Sequence, residues 1–253
     1  TGTDIPTKQN LILVSDINRF VFCFGANTIS TSVQDPMLIR WSDQEDATNW
    51  KPSATNQAGS LRLSIGSEII AAKQTRQAIT VWTDTSVYSL QFLGGQAGWG
   101  AKLIGDNTSI ASSNAVCYAG GVSYWMGKDK FYSNAGETKV LPCNLLRYVF
   151  GDFNLGQTDQ IFAGSNEEFH EIWWFYCSSD STAIDKYVIY NYKDNVWYYG
   201  TLARTAWLDS GMRDYPIAAT YTYNIVNHEE GIDDNETATE TAINAYITSA
   251  EFD

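Results

Sequence analysis

Apolar and polar positions alternate along this chain in short runs, rich in aromatic residues and bounded by turn formers. Three stretches share one plan of strand, polar turn and strand: AITVWTDTSVYSLQFLGG (78–95), GGVSYWMGKDKFYSNAG (120–136) and EIWWFYCSSDSTAIDKYVIYNYKDNVWYYG (171–200). A shorter apolar run precedes each: SEIIAA from Ser67, NAVCYA from Asn114 and QIFAGS from Gln160. Their starts lie about 45 residues apart, near the period of a four-stranded propeller blade. The pattern predicts an all-β chain, a β-propeller-like arrangement of antiparallel blades.

The flanking segments extend this reading. QNLILVSDINRFVFCFG (9–25) predicts a hairpin, and MLIRWSD (37–43) and LRLSI (61–65) predict further strands around a polar loop, 43–59. PCNLLRYVFGDFN (142–154) predicts one short helix across a sheet edge: Leu145, Leu146, Val149 and Phe150 share a face, Pro142 starts it and Gly151 stops it. After Gly200 a fourth unit is expected to open, with PIAATYT in the place of NAVCYAG and QIFAGSN. NIVNHEEG follows as its next strand, Asp233-Asp234-Asn235 as an exposed turn and AINAYIT as a last strand. No linker or low-complexity tract divides the chain, so residues 1–253 are expected to form one domain. The start at Thr1 and the stop just after a strand suggest a fragment, or the ordered part, of a longer protein.

Charge narrows the function. With 16 Lys and Arg against 29 Asp and Glu, the net charge is -13, opposite to a surface that grips phosphates. An acidic wall still suits a conduit, because it repels a polyanion and lets it slide. No run of 18 apolar residues predicts a transmembrane helix, and no signal peptide is visible. Cys23, Cys117, Cys143 and Cys177 show no zinc-ligand spacing and read as reduced thiols.

Candidate chemistry is sparse. His170 and His228 are the two histidines, and no GxSxG elbow supports a triad with either. The carboxylates Glu167, Glu168, Glu171, Glu229, Glu230, Asp233 and Asp234 fall in expected turns, where solvated acids are common. Asp233 to Asn235, and Asp43 with Glu45 and Asp46, gather oxygen donors without the EF-hand pattern. The glycine-rich stretches 92–100 and 118–121 lack a phosphate-loop lysine and fit turns. Of the aromatic clusters 173–176 and 197–199, alternate members must be buried in a strand. No catalytic residue, cofactor or metal is predicted.

Several strings in order carry a resemblance: IRWSDQEDATNWKPSATNQAGSLRL, AITVWTDTSVYSLQFLGG, VSYWMGKDKFYSNAG, NEEFHEIWWFYCS, YVIYNYKDNVWYYGTLARTAW and NHEEGIDDN. From Met37 to about Gly231 the chain resembles the tail-nozzle and packaged-DNA stabilisation proteins of short-tailed bacteriophages, which are usually much longer. The resemblance implies a structural virion protein of the tail without catalytic residues. Six copies would ring the tail axis below an adaptor, near fibres or spikes, and continue the channel through which double-stranded DNA passes. The loop 43–59 is the expected contact element, with Trp50 and Trp99 as loop-borne interface anchors and Asp43 and Asp46 on the rim. A carbohydrate-binding or carbohydrate-active propeller using Glu171 or Glu230 is the alternative. A monomeric or dimeric host-interaction module is a third.

Overall fold

The computed structural model describes residues 2–76, 78–209, 212–234, 236 and 241–243. Strands follow one another in chain order into antiparallel meanders. The first sheet holds β1 (Leu11–Ser15), β2 (Phe20–Phe24), β3 (Leu38–Trp41) and β4 (Gly59–Arg62). The second holds β5 (Ile69–Gln74), β6 (Ile79–Thr83), β7 (Ser86–Gly94) and β8 (Gly98–Asp106). The third holds β9 (Val116–Ala119), β10 (Val122–Met126), β11 (Phe131–Asn134) and β12 (Thr138–Leu141). The fourth holds β13 (Phe162–Asn166), β14 (Glu171–Tyr176), β15 (Lys186–Asn191) and β16 (Val196–Thr201). A three-stranded sheet of β17 (Ala206–Leu208), β18 (Ile217–Ala219) and β19 (Ile225–Asn227) comes next, then the pair β20 (Asp233–Asp234) and β21 (Thr241–Ala242). First strands lie against first strands, β1 on β5, β5 on β9, β9 on β13 and β13 on β17. The sheets are therefore blades set around an inner layer of first strands, the β-propeller-like, all-β arrangement that the periodicity predicts.

Period-two alternation builds the layers between blades. Leu11 and Leu13 turn towards the second blade, where Phe20, Phe22, Phe24, Ile39 and Trp41 meet Ile79, Val81, Tyr88, Leu90 and Trp99. The other face of the second blade joins the third and fourth blades in one core, and Trp173, Phe175, Ile189 and Trp207 seal the fourth to the fifth sheet. One repeat is particularly plain. Trp82, Trp125 and Trp174 each fill the fourth position of a second strand in consecutive blades, and none is more than 1% exposed. Trp82 meets Trp125 edge-on at 5.5 Å between ring centres, a favoured aromatic geometry. Trp174 donates to the Ala115 carbonyl of the preceding blade at 3.0 Å.

Several sequence expectations are corrected in detail. The hairpin at 9–25 and the strands after it complete a full first blade, because β4 pairs with β3 across the loop. The place expected for PIAATYT is taken by β17, since Trp207 is the residue that plugs against Gly164 of β13. Ile217–Ala219 is instead the middle strand of its sheet, with β19 as the next strand, as expected. Asp233 and Asp234 form an exposed short strand with Thr241 and Ala242 rather than a turn. Most of AINAYIT lies outside the described residues. The helix α1 is limited to Leu146–Gly151, with Val149 buried and Phe150 ring-packed on Phe131. The stretch 92–100 is a tight return between β7 and β8, with positive φ at Gly94, Gly95 and Gly98.

Candidate functional site

The loop 43–59 and the N-terminal segment cover one flank of the first blade. Alternation in β3 sends Ile39 and Trp41 towards the second blade and Arg40 to the opposite face. There Arg40 is wholly buried and donates to Asp4 Oδ2 at 2.9 Å, to the Asp4 carbonyl at 2.7 Å and to the Asn27 carbonyl at 3.3 Å. Asn27 Oδ1 accepts from Thr7 and Lys8, so the N-terminal segment is stitched down at several points. Trp50 joins this cap: its backbone N–H donates to Thr3 and its indole to Ala47, over Cys23 and Ala26.

These contacts correct the expected interface anchors. Trp50 is 3% exposed and Trp99 4%. Trp99 stands at the start of β8 with its ring 4.8 Å from Phe22 and 5.3 Å from Phe92. Both indoles serve the interior of their own chain, because a large apolar ring is stabilised most by the nearest sheet face that can cover it. Asp43 is half-buried and accepts from the backbone of Gln44 and Gln57, which shapes the loop. Asp46 is exposed, and hydrogen bonds from the Thr48 hydroxyl and backbone hold its carboxyl below the usual carboxylate range. Among the described residues, no three His, Cys, Asp or Glu side chains gather as metal ligands.

A second place is the axial mouth where the inner strands begin. A cavity of about 340 Å³ opens there, with Asn10 and Leu11 of the first blade, Glu68 and Ile69 of the second, and Ser112, Lys128, Thr158 and Asp159 from the third and fourth. It combines one cation with two acids and several hydroxyls. That chemistry suits contact with polar groups near the axis more than it suits a reaction.

The third place is the junction of the fourth blade with the fifth sheet. The apolar layer of Trp173 and Trp207 ends there in polar groups: Asn166 and Glu171, cross-strand neighbours in β13 and β14, face Glu229 beyond β19. Trp173 Nε1 donates to Glu171 Oε2 at 3.0 Å, while burial and the Glu229 charge push the Glu171 carboxyl up. Surrounding protein and the Glu168 charge push Glu229 the same way. His228 packs on Trp207 and accepts from Arg204 Nε at 3.0 Å. Burial and the Arg204 charge lower its pKa to about 4. His170 sits in the β13–β14 turn beside Tyr192, apart from His228 and Arg204 in its contacts. Glu230 turns to Asn227 instead of joining Glu171. Sequence reasoning missed Asn166 and Arg204, although a polar residue at the end of an inward-facing strand register is a usable signal.

No protein-family model and no curated protein matches the chain. Solved structures give distant likenesses. Hsv2 of Kluyvelomyces marxianus is similar at 11% identity and a TM-score of 0.46, over 82% of this chain and 58% of that one. The N-terminal domain of Nup159 is similar at 10% identity and a TM-score of 0.36, over 96% of this chain and 80% of that one. A chain of an S. cerevisiae assembly containing Dbp5, Nup159 and Gle1 gives 10% and 0.35, with coverage of 96% and 80%. This chain spans under two thirds of the Hsv2 chain. At such identities and scores these likenesses carry nothing about function.

Proposed function

We propose that this chain is a structural subunit of the tail nozzle of a short-tailed bacteriophage, assembled as a homo-oligomeric ring of six copies. The observation that carries the reading is an apolar face left exposed, among the described residues, on the first strand of the first blade and on the fifth sheet. On β1, Ile12 and Val14 are 60% and 57% exposed on the side away from the second blade. On the fifth sheet, Leu208 and Ile225 are 54% and 76% exposed on the side away from Trp207. Faces of this kind mark contact surfaces, and copies joined head to tail cover them in a closed ring. The ordered strings that resemble nozzle proteins supply the biological setting. In that setting the chain sits in the virion tail between an adaptor and fibres or spikes. Its acidic surface lets DNA pass without sequence-specific binding.

Negative-stain imaging of the purified protein tests this. Sixfold rings with a central hole are expected. A protein that stays monomeric at high concentration overturns the ring.

A further inference from the structure

We propose that the outer rim of the fourth blade, where α1 lies on it, binds the ring of one neutral sugar, with Tyr148 and Tyr199 as its platform and Lys186 and Asp152 as its polar contacts. Alternation puts Trp174, Val188 and Tyr199 in one cross-strand row on the face towards α1, and Lys186 and Thr201 in the row beside it. Trp174 and Val188 are wholly buried. Tyr199 is 46% exposed and meets Tyr148 of α1, itself 36% exposed, at 4.2 Å between ring centres. Lys186 Nζ stands 5.4 Å over the Tyr148 ring and is paired with Asp152, which also accepts from the Ser179 hydroxyl at 3.0 Å. Packing fixes the two rings, and hydrogen bonds fix the two charges, before any ligand arrives.

Partly exposed tyrosines supply rigid, amphipathic contact area at low conformational cost, and the C–H face of a pyranose lies flat on such rings. The ion pair at their edge selects the ligand. Lys186 offers N–H donors and Asp152 carboxylate acceptors, so neighbouring hydroxyls of one sugar can accept from the ammonium and donate to the acid. An anionic ligand is opposed by Asp152 and by the net charge of -13, and a cationic one by Lys186. Thr201, exposed beside Lys186, adds a hydroxyl to the same face. Glu171 and Glu230, the carboxylates expected for a sugar-binding chain, take no part. The site lies apart from the faces of Ile12 and Leu208 and does not rest on the ring assembly.

Saturation-transfer NMR of the whole chain with the methyl glycosides of glucose, galactose, mannose and glucuronic acid tests the proposal. At least one neutral glycoside is expected to bind with a dissociation constant of about 10⁻³ M, the affinity an open site gives a single sugar ring, and more tightly than the glucuronide. Tyr199→Ala is expected to weaken it tenfold or more at unchanged melting temperature. Tyr199→Phe, which keeps the ring, and Tyr198→Ala, on the opposite face of β16, are expected to leave it unchanged. Asp152→Asn leaves the Lys186 charge unbalanced and is expected to turn the preference towards the glucuronide. Absence of binding by every neutral glycoside, a wild-type preference for the glucuronide, full affinity in Tyr199→Ala, or an unchanged preference in Asp152→Asn would each overturn it.

Discussion

Arg40 and Asp4, 36 residues apart in the chain, form an ion pair at 2.9 Å in which the arginine side chain has no exposed surface. The pair fixes the N-terminal segment over the free flank of the first blade. A guanidinium left in that position without its carboxylate is an uncompensated buried charge. Asp4→Ala is therefore expected to lower unfolding stability by about 3–5 kcal/mol, read from denaturant midpoints. A loss below about 1 kcal/mol would show that the segment is not held this way.

Gly164 and Trp207 make a second close relationship. A Cβ on Gly164 would stand 2.3 Å from Trp207 Cδ1, and the indole donates to the Ser165 carbonyl at 2.7 Å. Gly164→Ala should push the ring out and cost about 1–3 kcal/mol, the usual range for overpacking. Gly151→Ala, where a Cβ meets nothing within 4 Å, is the comparison. Trp207 fluorescence should move to the red only in the first variant.

These relationships mark where sequence reading succeeds and stops. Trp82, Trp125 and Trp174 recur at matching strand positions, so a local pattern announces their blades. Trp50 lies in a polar, loop-like stretch, and nothing near it reveals that Thr3 and Asp4 return to roof it. The strands of the fifth sheet have only three residues each, too few for alternation to identify, so the sequence reads Ile217–Ala219 as a first strand although it is the middle one. The polar junction fails for the same reason of distance. Asn166 and Glu171 are readable as hairpin neighbours, but Glu229 arrives from another sheet.

The uncovered flanks predict an assembly phenotype separate from folding. Ile12 and Leu208 are exposed in the single chain, so Ile12→Lys and Leu208→Lys should each change stability by no more than about 0.5 kcal/mol. In the ring each would bury an unpaired charge. Size-exclusion with light scattering is expected to show wild-type rings and variant monomers of unchanged melting temperature. Rings that persist in both variants would place the contacts elsewhere.

His228 predicts a pH dependence whose sign follows from its contacts. The neutral imidazole accepts the Arg204 Nε–H, and a proton on it would remove that acceptor and set two cations together. Its pKa falls from 6.5 to about 4 in the folded chain. Between those values the unfolded chain binds a proton that the folded chain refuses, so stability is full above the unfolded value and is lost as the pH falls through the window. Glu171 and Glu229, whose pKa values are raised, act in the opposite sense: the folded chain keeps protons there that the unfolded chain releases. A wild-type profile alone mixes the two effects, and the difference from His228→Gln separates them. Glutamine offers an oxygen to Arg204 and does not titrate. Wild-type protein should lose stability more steeply than the variant between pH 6.5 and 4, by up to about 1.4 kcal/mol per pH unit for one proton. Parallel profiles would mean that His228 takes up its proton as readily folded as unfolded, and that the Arg204 contact does not hold it neutral.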